Sequence, residues 1–393
     1  MDRAAFEAAG LYDPSSPRGA DRLQLLTYLS RQGVSLEEMV EADQRGRLAA
    51  LPMDRSLKLS GNLTFAQAAA EAGLSEPAAA RAHQAVGLPV MARATQLFGP
   101  EDVEMLRVFA QAEAVFGEEV TLQLARVIGL SASRIAEAEV SAFLLNVAAP
   151  LAAEGTGENT MARANADMAA MVPAVSRVLD LLHRRHLEVA IRTFNISPND
   201  PTTTPTFDLG VGFADLVGFT GLSQSLSTRE LAAAIADFEG RTAEIVASAG
   251  GRMVKLIGDE VMYVSEAAGP AVEVMAALLR EFDGVDRRLP PLRGGVTCGE
   301  VLARDGDYFG PVVNLANRAV KLARPGAALV SREVREAVGD APDGFRFGAS
   351  HLRRIKGFDR RVPMHSLRPE RRPRALPRLL AEATAAATSP GRP

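Results

Sequence analysis

Phe213-Ala-Asp215-Leu-Val-Gly218-Phe219-Thr220 and Met253-Val-Lys255-Leu-Ile-Gly258-Asp259-Glu260-Val-Met-Tyr263 each set an acidic residue into an apolar, strand-like stretch. An isolated carboxylate among Val211, Phe213, Leu216 and Val217 costs roughly several kcal/mol unless a positive charge compensates it. Two such carboxylates in one segment suggest a metal site. Working outward, the pattern alternates between strands and helices. Strands are expected at 207–215, 252–257, 261–265 and 293–303, and helices at 227–249, 270–282 and 311–323, with Gly258-Asp259 as a hairpin turn. Asp305-Gly306-Asp307 reads as a second hairpin tip, and short strands are expected near 328–330, 345–348 and 362–367. A strand, helix, hairpin, helix, strand order is that of a ferredoxin-like α+β domain.

The chemistry lies in the company these carboxylates keep. Asp215 ends one strand and Asp259 occupies a turn that could be its neighbour, so the two would converge on hard cations bridged to a polyphosphate. The alternative is that each Asp merely caps a turn. Lys255 stands in an otherwise apolar strand, where Val or Ile would be the structural choice. Asn314 and Arg318, spaced i, i+4 after Gly310-Pro311, share one helix face and could hold a ribose and a phosphorus as charge develops.

Residues 207–367, with Phe213 to Thr220, Lys255-Leu-Ile-Gly-Asp-Glu260 and Asp307-Tyr-Phe-Gly-Pro-Val-Val-Asn-Leu-Ala-Asn-Arg318, resemble the catalytic domain of class III nucleotidyl cyclases, the family of adenylate and guanylate cyclases. The resemblance implies Asp215 and Asp259 as metal aspartates for two Mg2+ or Mn2+ ions per site. It implies Lys255 and Asp307 as the adenine-selecting pair, Asn314 and Arg318 as stabilisers of the transition state, and Lys356 as a triphosphate contact. An Asp that accepts and a Lys that donates complement the edge of adenine, and guanine would leave polar groups unpaired. ATP is the substrate so implied, with cyclic AMP and pyrophosphate as products. In this family the site forms between two catalytic domains, so a chain with both halves should be a homodimer with two equivalent sites. Gly250-Gly251 and Gly258-Asp259-Glu260 also resemble the acidic signature of diguanylate cyclases, but Asn314 and Arg318 belong to the first family.

Residues 1–195 read as an all-helical regulatory domain, with breaks at Gly33, Gly73, Gly87 and Gly129. This helical region ahead of the catalytic segment resembles soluble actinobacterial cyclases. Thr64-Phe-Ala-Gln67 predicts a capping box, Gly73 a stop and Ser75 the cap of a second helix. Helix, turn, helix is also a DNA-binding shape, with Arg81, His83 and Gln84 as the available base readers. The rival to an enzyme is therefore a nucleotide-sensing DNA-binding regulator with a non-catalytic cyclase-like domain. A long helix over 161–194, interrupted at Pro173, carries the apolar stripe Met168, Met171, Val172, Val175, Val178, Leu179 and Leu182. His183 and His186 near its end read as solvated residues or as a proton-sensitive joint. Residues 196–206 read as a linker and 368–393 as a disordered basic tail rich in Pro and Ala.

The whole chain sets outer bounds. Its 393 residues suffice for two domains, and the net charge of −4 gives no reason to expect nucleic acid as a partner. The single cysteine, Cys298, fits a reducing compartment and reads as a small core residue. The opening residues lack the apolar core of a signal peptide. The most apolar window, 140–153, reads as too short to span a membrane and contains Asn146. A cytoplasmic protein is the expectation.

Overall fold

The computed structural model describes residues 3–57, 61–88, 97–193, 206–284 and 289–370. Residues 196–205 of the expected 196–206 linker, and residues 371–393 of the expected tail, lie outside them, while Thr206 already belongs to a strand. The chain divides into two compact units, 1–198 and 199–393.

The first unit is helical. Helices α1 (Arg3–Ala8), α2 (Gly19–Arg31), α3 (Leu36–Gln44) and α4 (Leu51–Leu57) surround a core of Phe6, Leu25, Leu26, Leu29 and Met39. Helices α5 (Phe65–Glu71), α6 (Glu76–Ala85) and α7 (Pro100–Phe116) enclose a second core of Phe65, Ala68, Ala69, Phe98 and Leu106. The Thr64 capping box forms as expected, with Gln67 as its return partner, and Ser75 caps α6. The remaining helices are α8 (Glu118–Phe143), α9 (Ala149–Ala153) and α10 (Glu158–Thr193).

Three expectations for this unit are corrected. Gly129 does not break a helix; it lies buried inside α8, where an added Cβ would come within 2.3 Å of the Val86 carbonyl oxygen. The glycine is there for close approach of another chain segment. Pro173 likewise leaves α10 uninterrupted, since it removes one backbone donor while the turns on both sides keep theirs. The 140–153 window belongs to a longer helical run, Glu118–Ala153, continued through a π turn at Leu144–Ala148 where Asn146 Nδ2 donates to the Ala142 carbonyl. By length and composition alone, that run could cross a membrane.

The second unit is a mixed sheet with helices. In chain order it comprises β1 (Thr206–Leu216), α11 (Phe219–Ser225), α12 (Thr228–Ser248), β2 (Arg252–Ile257), β3 (Glu260–Ser265), α13 (Ala268–Glu281), β4 (Leu292–Arg304), β5 (Asp307–Phe309), α14 (Pro311–Val320), β6 (Ala327–Ser331), α15 (Arg332–Val338), β7 (Phe345–Phe347), β8 (His351–Arg353) and β9 (Val362–Pro369). The sheet order is β2-β3-β1-β4-β6-β9-β7, with β5 on β4 and β8 on β9. Among the described residues, only β4 and β6 pair in parallel; the other ladders are antiparallel.

This is the α+β fold expected of a class III cyclase domain. One face carries α13, whose Val272, Met275, Leu278 and Leu279 are buried with Tyr263 and Phe238. The other carries α14, seated close on β4 because Gly295 has no Cβ to meet the Ala316 carbonyl. Three details differ from the sequence expectation. Asp307 is not at a hairpin tip: it pairs with Arg304, and the turn is Asp305-Gly306 with both residues at positive φ. Helices α11 and α15 and strand β8 are additional, being too short to show a period. The last strand passes residue 367 because Arg368 and Pro369 still pair with Arg346 and Phe345.

Candidate active site

Asp215 sits one residue from the end of β1, between two strands that hold it on both sides. It pairs with Glu260 of β3 and with Arg293 of β4. Directly opposed residues of an antiparallel ladder share a face, so these side chains crowd together. Arg293 donates from Nε and Nη2 to Asp215 Oδ2 at 2.9 and 2.6 Å. Asp259 arrives from the β2–β3 hairpin, where Ile257 pairs with Glu260 and Gly258 takes φ 66°, a conformation glycine adopts freely. Leu216 N donates to the Asp259 carbonyl at 3.2 Å, which fastens the turn to the end of β1.

The two aspartates expected to hold metal are thus neighbours. Burial raises the Asp259 carboxyl above its ordinary value, and the charge of Asp215 raises it further while Arg293 offsets part of the effect. Glu260 is pushed up to about 7, by burial first and then by Asp215 and Asp259, against Lys321 and Arg293. The raised values of Asp259 and Glu260 mark oxygen donors crowded beside Asp215, a repulsion that a bound cation would relieve. Asp215 and Asp259 therefore fit hard divalent cations such as Mg2+ or Mn2+.

Lys255 and Asp307, 52 residues apart, also meet: Lys255 Nζ donates to Asp307 Oδ2. Asp307 Oδ1 accepts from the Tyr308 amide at 2.8 Å. Beside them Arg252 donates to the Tyr308 hydroxyl and lies 5.4 Å over its ring, a second clip between β2 and β5. The pair is half-buried, so its donor and acceptor remain reachable.

Helix α14 starts at Pro311 after Gly310, the arrangement that preorganises a first turn. Asn314 is exposed on it, one turn ahead of Arg318. Arg318 Nη1 donates to the Lys356 carbonyl, and the guanidinium lies 5.9 Å from the centre of the Phe358 ring. A Cβ on Gly357 would stand 2.3 Å from Arg318 Nη1, so glycine opens this seat. The Lys356 side chain is exposed. Structure thus gathers Asp215 with Asp259, Lys255 with Asp307, and Arg318 with the backbone of Lys356.

Sequence reasoning missed Arg293 and gave Glu260 and Asn317 no role. Arg293 carries the signal that exposed Lys255, a cation inside an apolar strand. Asn317 Nδ2 donates to Glu260 Oε1 at 2.9 Å across 57 residues, and no local pattern announces such a contact.

In the helical unit, Arg81 is ion-paired to Glu118, and His83 is buried against Phe65 and Phe98. Of the three candidate base readers, Gln84 alone stays exposed without such a contact among the described residues. His183 and His186 are both exposed on α10, with Arg184 paired to Asp180 and Arg185 to Glu188 beside them.

Residues 203–368 match the family described as adenylate and guanylate cyclase catalytic domain. An uncharacterised protein of Mycobacterium tuberculosis is 36% identical over 377 residues, 95% of this chain and 96% of the relative. An adenylate cyclase of Streptomyces coelicolor is 35% identical over 283 residues, covering 70% of this chain and 72% of its own. Among solved structures, the adenylyl cyclase CyaB from P. aeruginosa matches at 24% identity and a TM-score of 0.38, over 43% of this chain and 98% of that one.

Proposed function

The chain belongs to the class III adenylate and guanylate cyclase family, and from that premise we propose that it converts ATP to 3',5'-cyclic AMP and pyrophosphate in a site shared by two copies of itself. The observation that carries the reading is the meeting of Lys255 with Asp307. A donor and an acceptor preset side by side match the edge of adenine, and guanine would leave one of them unpaired.

Asp215 and Asp259 would hold the divalent cations, and the two hydrogen bonds from Arg293 orient the Asp215 carboxylate. Bound there, Mg2+ or Mn2+ would supply the charge that favours an ionised ribose 3'-hydroxyl and balances the departing pyrophosphate. Asn314 orients the ribose, Arg318 stabilises charge on the α-phosphorus as the 3'-oxygen attacks in line, and Lys356 binds the triphosphate. Positioning and electrostatics suffice without a separate base.

One copy would contribute its carboxylates, and the other its purine and transition-state residues, so a monomer is inactive and the homodimer has two equivalent sites. The helical unit regulates this pair, with His183 and His186 biasing it by charge, and the protein works in the cytoplasm. A DNA-binding regulator is disfavoured because Arg81 and His83 are already engaged.

The test is cyclic AMP formation from ATP by the full chain with Mg2+ or Mn2+, with Asp215→Ala as the blank. ATP-dependent turnover that exceeds turnover of GTP supports the reading; no turnover of either at high protein concentration defeats it. A pH–activity profile left unchanged by His183→Ala with His186→Ala would remove the pH part alone.

A further inference from the structure

Helix α14 carries Asn314 and Arg318, and its first anchor lies near its start, where Thr297 Oγ1 donates to the Val312 carbonyl at 2.9 Å. Close packing over Gly295 fixes its height above the sheet, with Ala316 and Ala319 fully buried beneath it. Val313 and Val320 of the helix pack with Val211 and Phe213 of β1, the strand that carries Asp215. Asn317 adds a polar tie to the neighbouring strand. It projects from the turn between Asn314 and Arg318, is half-buried, and donates from Nδ2 to Glu260 Oε1 at 2.9 Å. Glu260 follows Asp259 directly and faces Asp215 across the β1–β3 ladder. Lys321, which caps the end of α14 one turn beyond Asn317, adds attraction to the same carboxylate.

We propose that Glu260 and Asn317 are positioning residues, a strut that fixes the helix bearing Asn314 and Arg318 at a set offset from the Asp215–Asp259 turn. This rests on the cyclase reading above. In that reading each site combines the carboxylates of one copy with the Asn314 and Arg318 of the other. A two-fold axis then makes the offset inside each copy a determinant of the geometry of both sites. The strut touches no substrate and acts through the placement of groups that serve the transition state, so its loss appears in kcat rather than in KM.

The experiment uses the full chain and steady-state cyclic AMP formation from ATP with Mn2+, with far-ultraviolet circular dichroism and thermal melts as controls for folding. Asn317→Ala is expected to lower kcat about tenfold while KM for ATP moves less than about twofold, because small misplacements near reacting groups are costly. Asn317→Asp sets a carboxylate against Glu260 and lowers kcat further. Adding Glu260→Gln to Asn317→Asp exchanges donor and acceptor and raises kcat at least about fivefold over Asn317→Asp alone, since a hydrogen bond can again form. Asn317→Ala and Asn317→Asp with wild-type kcat, or no recovery in the exchanged pair, overturns the strut while leaving the cyclase reading intact. A wild-type chain that turns over neither ATP nor GTP overturns both.

Discussion

Helices α13 and α10 are both rich in apolar residues, yet only one spends them inside its own unit. In α13, Val272, Val274, Met275 and Leu278 are fully buried under the sheet. In α10, Met171 is 62% exposed and Val178 51% exposed, and Leu181, Leu182 and Leu187 are also open. An apolar cleft of about 580 Å3, lined by Phe143, Val147, Met168, Met171 and Val172, opens between α8, its π turn and α10. A periodic apolar stripe thus gives helix formation in both cases, but burial in α13 alone of the two, because the sheet face receives it. The core beneath α13 is completed within its own unit, and the long helices of the first unit present a surface that the described residues leave uncovered.

The largest effect that separates the two units is on turnover. Arg318→Ala is expected to reduce kcat by about a hundredfold to a thousandfold, the range for removing a donor aimed at developing charge. His183→Ala with His186→Ala, on the exposed end of α10, should leave turnover at neutral pH within about twofold. Initial rates of cyclic AMP formation for both variants check this, and comparable losses would erase the contrast between the two units.

Stability gives the next contrast. Met275→Ala removes a buried side chain from beneath the sheet and should cost about 2–5 kcal/mol. Met171→Ala on the open face of α10 should cost about 0.5 kcal/mol or less. Denaturant unfolding of the two variants reads this directly, and a large loss for Met171→Ala would mean that its face is covered in solution.

A smaller effect is pH-dependent and belongs to the first unit. His83 is 5% exposed, packed edge-on against Phe65 and Phe98, and its Nδ1 has no hydrogen-bond partner among the described residues. Burial holds its pKa below the ordinary value of 6.5, with Asp102 opposing part of the shift. A depressed pKa means that the unfolded chain binds the proton more readily. The stability His83 contributes is therefore present above about pH 6.5 and is lost as the pH falls through the lower folded value. Amide exchange in α5 to α7, corrected for intrinsic rates, should accelerate on going from pH 7 to 5.5, and His83→Leu should flatten that response.

How much was legible in advance differs between the units for a physical reason. In the catalytic unit, strand parity and helix spacing are local, so Asp215, Asp259, Lys255, Asn314 and Arg318 could be placed on their elements from short motifs. Partners reached across the sheet were not local: Arg293 meets Asp215 across 78 residues, and nothing near either names the other. In the first unit, Gly129 and Pro173 carry the usual signals of a break, yet both lie within helices. At Gly129 tertiary packing against Val86 overrode the propensity. The Thr64 box was readable because its bonds close within three residues.

In the proposed dimer two copies of the chain build one site, with carboxylates from one and Asn314 and Arg318 from the other. Mixing inactive Asp215→Ala with inactive Arg318→Ala separates such a site from one complete within a single chain. Random pairing makes half of the dimers mixed, and each mixed dimer holds one intact site, so the mixture should recover about a quarter of the wild-type rate of cyclic AMP formation. A mixture that stays at the level of the separate variants, beside an active wild type and under conditions where subunits exchange, would contradict it.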